Sequence, residues 1–214
     1  VKKFIHIGST RLINYLEYRK NLKNKRIKKK FDICLLSDQG AFSYSLDVSQ
    51  NIKEGLVLLI KHTLKFSRKF NLKLTIALKR EKNHRLGDIF FKEEQDFFKE
   101  NLSYREYEYA KKVFFYKNNK YNVYDLILNS KVTLGCISTC LREALSLKRK
   151  VLVCNYSGNN IYNFPLDGLC RLNNKSYNQF EKRLLKILKM NFKIFEKKWK
   201  KSTSKILNFK NLNQ

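Results

Sequence analysis

The chain has 214 residues, 43% hydrophobic and 14% aromatic, with one proline and seven glycines, enough apolar material for the core of one compact domain. That composition excludes disordered, collagen-like and coiled-coil chains. Its 46 Lys+Arg against 18 Asp+Glu leave a net charge of +28, which points to an acidic partner such as nucleic acid, anionic lipid or a phosphorylated small molecule, although lysine mixed with Asn, Ile, Phe and Tyr is also what AT-rich coding yields.

In chain order, Lys3 to Ile7 reads as a strand, Gly8 to Thr10 as a turn and Arg11 to Lys20 as a helix. A run from Lys20 to Lys30 follows, with seven Lys/Arg in eleven positions. Residues 1–30 are expected to be a linker or the remnant of a preceding N-terminal domain. Phe31 to Leu36 is a short apolar strand ending in the loop Ser37-Asp38-Gln39-Gly40. From Asn51 to Phe70, the residues Ile52, Leu56, Leu59, Thr63, Phe66 and Phe70 fall at alternating steps of four and three, the stripe of an amphipathic helix, with Asn51 and Glu54 placed as its capping box. A strand is expected over Leu72 to Leu78, a helix over Asp88 to Leu102 and a strand over Glu106 to Phe115.

Asn122 to Asn129 reads as a short helix, Lys131 to Ile137 as a strand, Thr139 to Leu147 as a helix and Lys150 to Cys154 as a strand. An amphipathic helix covers Tyr177 to Met190, and a basic helix runs from Phe192 to about Leu207 around Trp199. Apolar strands without a polar face, alternating with helices, predict an α/β fold: a doubly wound parallel, Rossmann-like sheet over residues 31–190. Residues 191–214 are expected to be a basic helix and tail.

Cys34, Cys136 and Cys154 sit in apolar strand-like runs and read as reduced, buried thiols. His6, His62 and His84 are dispersed, so no metal site is predicted. There is no run of 18 apolar residues and no leader with a cleavage site, so a cytoplasmic location is expected.

In open parallel sheets, ligands bind at the carboxyl ends of the strands. Those ends carry Ser37-Asp38-Gln39-Gly40, Lys79-Arg80, Gly135 to Thr139, and Asn155 to Gly158. The fourth strand and its helix are the most informative, with Ser138 and Thr139 at the turn and Glu143 one helical turn beyond Thr139. Two hydroxyls at this position suit a phosphate, and a carboxylate accepts hydrogen bonds from vicinal hydroxyls. The alternative is a helix cap followed by a solvated glutamate, and spacing alone leaves both open.

The stretch Ser130 to Val153, with Ser138-Thr139-Cys140-Leu141-Arg142-Glu143-Ala144-Leu145, resembles the donor-binding region of GT-B glycosyltransferases, especially those of bacterial surface carbohydrate and capsule synthesis. The turn Leu147 to Lys150 lacks that family's usual glycine. More loosely, the resemblance runs from Phe31 to Met190. It implies that Ser138 and Thr139 contact the phosphates of a nucleotide-sugar and Glu143 its ribose. By the same resemblance, Gln39 and Gly40 lie in the loop near the reaction centre, Lys79 and Arg80 neutralise the leaving phosphate, and Asn155 touches donor or lid. For Lys79, Arg80 and Asn155 the plain alternatives are surface cations and a loop-capping amide. Transfer would be metal-independent, with no cofactor beyond the nucleotide-sugar substrate. No catalytic base is identified, because the family carries it in an N-terminal domain, which is expected to be missing from this chain or supplied by a partner subunit.

The acceptor implied is a polysaccharide or lipid-linked sugar, with attachment to an anionic inner membrane face. Two other readings remain: a non-catalytic partner subunit of the same fold, and a nucleic-acid-binding module using Tyr104, Tyr107, Tyr109 and Tyr116 to stack bases. Nucleic acid is the weaker, since these tyrosines fall at core spacings and no nucleic-acid-binding signature is present.

Overall fold

Runs that are apolar on both sides of the strand form the middle of the sheet. In the computed structural model, which describes residues 9–21, 30–38, 46–81, 87–117, 121–165 and 168–203, the strands are β1 (Phe31–Leu36), β2 (Leu74–Glu81), β3 (Phe114–Lys117), β4 (Ser130–Gly135), β5 (Lys150–Cys154) and β6 (Arg171–Leu172). They make one six-stranded sheet in the order β3-β2-β1-β4-β5-β6, and every pair is parallel. Register places Cys34 beside Thr75 on one side and Thr133 on the other. All five residues of β5 are buried, which is what helices on both faces require. The fold is therefore α/β with a doubly wound parallel sheet.

The helices are α1 (Thr10–Asn21), α2 (Leu46–Lys69), α3 (Gly87–Asn101), α4 (Tyr104–Val113), α5 (Asn122–Leu128), α6 (Cys140–Ser146), α7 (Tyr177–Lys189) and α8 (Phe192–Thr203). The chain winds from β1 towards β3, then crosses back and winds from β4 towards β6. Right-handed crossovers consequently place α2 and α6 on opposite faces. α2 packs with α4 and α7, while α5 packs with α6. α1 joins that second layer: Tyr15 stacks on Tyr124 with ring centroids 4.7 Å apart, and its hydroxyl donates to Asp125 Oδ1 at 2.9 Å. Leu12, Tyr15 and Phe195 are 3%, 0% and 0% exposed, so α1 and α8 both contribute to the core.

Two elements differ from the sequence expectation. α2 begins at Leu46, so Asn51 lies inside the helix instead of capping it, and Glu54 accepts from Gln50 Nε2 at 2.9 Å, an i,i+4 pair. The segment expected as a strand over Glu106 to Phe115 is α4, with β3 starting only at Phe114. Its alternating Glu and Tyr imitate a strand, but Ser103 and Glu106 close a capping box: the Glu106 N–H donates to Ser103 Oγ at 3.4 Å, and Ser103 N–H to Glu106 Oε2 at 2.9 Å. β6, at two residues, is too short to leave a periodic signal.

Two contacts align the upper and lower rims of the sheet. Gly55 brings α2 against the loop after β5, and a Cβ there would sit 3.0 Å from the Tyr156 carbonyl carbon. At the other rim the buried Lys150 donates from Nζ to the carbonyls of Ile187, Leu188 and Met190 at 2.6, 3.1 and 2.8 Å, closing the end of α7. Among the described residues, no helix is long and apolar enough to cross a membrane.

Candidate functional site

Strand order reverses between β1 and β4, and the crevice outside their carboxyl ends is where an open α/β sheet binds ligands. Asp38 sits there. The Ser37 N–H donates to Ala77 O at 3.0 Å, holding β1 in the sheet to its last residue, and Asp38 follows, 5% exposed. Its Oδ2 accepts from the N–H groups of Cys136 at 3.0 Å and Ile137 at 3.2 Å. The Ser138 hydroxyl lies beside this carboxylate and, with Lys79, favours its charged form. Burial nevertheless prevails and raises the pKa above the ordinary carboxylate range, since a charge removed from water is disfavoured more than these partners repay. Gly135 leaves room beneath: a Cβ at that position would lie 3.5 Å from Asp38 Oδ2 and 3.0 Å from Leu141 Cδ1.

Ser138 is half-buried and Thr139 exposed at the entry to α6. Thr139 has φ −60° and ψ −29° and its side chain makes no capping bond, so a cap is not what this hydroxyl provides. Glu143 is 8% exposed, and hydroxyls surround its carboxylate: Tyr124 OH donates to Oε2 at 3.0 Å, and the Ser9 hydroxyl donates to Oε1. The solvated glutamate of the alternative reading is thus not what the fold contains. Burial and the neighbouring Glu143 raise the Tyr124 hydroxyl's pKa, and the same two influences push the Cys140 thiol up to about 11. Both donors stay protonated at neutral pH.

Lys79 is exposed, and its backbone N–H donates to both carboxylate oxygens of the buried Glu94 at 2.9 and 3.1 Å. The β2–β3 register shifts between Ala77 and Glu81, across this same stretch. Glu94 thus fixes the backbone from which the Lys79 side chain projects. Arg80 follows in β2, and its side chain lies outside the described residues, as do Gln39 and Gly40. Asn155 is engaged inside its own loop: Nδ2 donates to Asn159 O at 2.9 Å and Asn163 Oδ1 at 2.8 Å, and Oδ1 accepts from Ser157 Oγ at 2.6 Å. Its amide stabilises the turn after β5.

Asp38 thus meets Lys79 and Ser138 at this rim, and Cys140 lies between Ser138 and Glu143 at the start of α6. Asp38 was missed as a site residue by sequence reasoning, and the only available signal was an acidic residue directly after the first strand of a parallel sheet. A groove of about 350 Å³ lies elsewhere, on α2 around Lys53, Val57, Leu58, Lys61 and Asn101, and none of the expected site residues lines it. Among the described residues, no three His, Cys, Asp or Glu side chains group as metal ligands. All five cysteines are free and buried. Of the tyrosines considered for base stacking, Tyr104 is 80% exposed, whereas Tyr109 packs with its hydroxyl 3.2 Å from Ser67 Oγ and its ring under Arg68.

No protein-family profile matches the chain, and no curated protein sequence matches it. Among solved structures it is similar to the wall teichoic acid polymerase TagF, with 14% identity and a TM-score of 0.35 over 88% of this chain and 43% of that one. The chain spans less than half the length of that protein.

Proposed function

We propose that this chain is the donor-binding part of a metal-independent glycosyltransferase of the GT-B kind, which takes a nucleotide-sugar for bacterial surface polysaccharide synthesis. The observation that carries the reading is the placement of Ser138, Thr139 and Glu143 together at the strand-order reversal of a parallel sheet, with Glu143 already accepting hydrogen bonds from two hydroxyls. A ribose hydroxyl asks the same of that carboxylate, and it would take the place that the Ser9 hydroxyl holds.

In this reading Ser138 and Thr139 would donate to phosphate oxygens, and Lys79, whose backbone Glu94 holds, would supply positive charge to them, as the sequence assigns to Arg80 also. A cation there stabilises the charge that develops as the sugar–phosphate bond breaks, the role a metal fills in other transferases. Gln39 and Gly40 would stand at the reacting end and Asn155 would brace the loop beside the donor. The acceptor, a polysaccharide or lipid-linked sugar, and the base that activates it come from a further domain or subunit. The exposed lysines favour operation at an anionic membrane face.

Thermal unfolding with a panel of uridine, cytidine and guanosine nucleotides tests this. One base should stabilise the protein, by about 2.7 kcal/mol at a hundred times its Kd. Glu143→Gln, which keeps the side chain's shape, and the double variant Ser138→Ala/Thr139→Ala should each reduce that shift. If no nucleotide stabilises the protein while heparin retains it with a steep salt dependence, the charge serves nucleic acid and the transferase reading fails.

A further inference from the structure

A carboxylate oxygen and a phosphate oxygen make the same demand on backbone amides. In the crevice that demand is already met from within: Asp38 Oδ2 takes the N–H groups of Cys136 and Ile137, and the Ser138 hydroxyl lies beside the same carboxylate. The amides nearest β4 are therefore closed to an incoming anion, and an anion at Ser138 and Thr139 would have to draw the Ser138 hydroxyl away from the chain's own carboxyl group, beside which it would lie. Among the described residues, the groups that face Asp38 are Lys79 from β2 and Cys136 and Ser138 from the loop after β4. Lys79 offers the compensating charge, because burial keeps the Cys136 thiol neutral. Among the described residues of the crevice, one exposed lysine stands against two buried acidic side chains, Asp38 and Glu143, which leaves it far less cationic than the molecule as a whole.

We infer that Asp38 is a specificity-determining residue, limiting how much negative charge the crevice accepts and so weakening the binding of anions that carry a second phosphate. This deepens the nucleotide reading above and rests on it. Each added phosphate brings charge towards a carboxyl group that cannot turn away, since its oxygens are held by the loop. The same geometry makes affinity depend on pH: with Asp38 protonated the like-charge penalty disappears, and with Asp38 ionised it is full. A role in loop positioning alone predicts something different, since any acceptor of the same shape would then serve equally well.

Asp38→Asn separates the two. It preserves the shape and one acceptor for the amides of Cys136 and Ile137 and removes the charge. Binding of the mono- and diphosphate of the base chosen by the thermal panel, and of inorganic pyrophosphate, is measured by calorimetry for both proteins. Above the raised pKa of the wild-type carboxyl, the diphosphate and pyrophosphate should bind Asp38→Asn about tenfold tighter than the wild type, the monophosphate gaining less, as removal of one like-charge interaction predicts. Equal or weaker diphosphate binding by the variant overturns the proposal and leaves Asp38 a positioning group.

The second measurement uses the wild type alone, so it stands even where the variant folds poorly. Sulfate, whose charge stays constant above the ordinary carboxylate range, should stabilise the protein less as pH rises through the raised pKa of the buried carboxyl. A flat sulfate response is also contrary to the proposal. Tighter pyrophosphate binding by Asp38→Asn with no nucleotide binding by either protein would uphold the charge limit and sink the nucleotide reading. Absence of any anion binding by both would sink both.

Discussion

At the scale of single residues, burial decides what Asp38 does. Its folded pKa is raised above the ordinary 3.8, so the stability its protonated form contributes is complete below that value and is lost as pH climbs through the raised one. Asp38→Asn has no such slope. The stability of the variant minus that of the wild type, from urea unfolding at stepped pH, should therefore increase across that window, and a pH-independent difference would mean the carboxyl is not desolvated as described. Glu143 teaches a related lesson. Its spacing from Thr139 was visible along the chain, but that it would lie under Tyr124 and Ser9 was not, because Ser9 is 134 positions away in sequence. Asp38 went unnoticed for the same reason: its partners, 98 and 99 positions on, exist only once β1 and β4 are side by side.

At the scale of elements, local signals succeeded where they had no competitor. The four-and-three stripe of α2 and the apolar runs of β1, β4 and β5 were legible because burial imposes period 3.6 on a helix and continuous apolarity on a strand covered on both faces. The segment that forms α4 carried two conflicting signals, alternating tyrosines and a capping box, and the box prevailed because it satisfies backbone amides that the alternation leaves unmet. Gly55 poses the opposite problem. Judged by helix propensity, Gly55→Ala should stabilise α2 by about 0.5–1 kcal/mol. The added methyl, however, would lie 3.0 Å from the Tyr156 carbonyl carbon and 3.1 Å from the Ser157 nitrogen, atoms of a loop that Asn155 and Ser157 pin in place. A loss of about 1–3 kcal/mol is expected instead, seen as a lower urea midpoint with an unchanged slope. A stabilised variant would show that the loop yields.

At the scale of the whole molecule, charge dominates. A net +28 on 214 residues makes the folded state repel itself. Raising ionic strength from about 0.01 M to about 0.15 M shortens the Debye length from roughly 30 Å to roughly 8 Å, so the urea midpoint should rise over that range. If salt leaves the midpoint unchanged, the lysines are spaced widely enough that their repulsion is already negligible. By itself, the amino-acid sequence determined the fold class, most of the strands and helices, and the stretch that carries Ser138, Thr139 and Glu143, because those properties depend on periodicity and on neighbours a few positions apart. Only the tertiary structure decided that α1 is part of the core, that Asn155 braces a loop, that Glu94 steadies Lys79, and that an internal carboxylate occupies the amides of the candidate site. Those facts arise from side chains brought together across the sheet from distant parts of the chain, a proximity that no local pattern encodes.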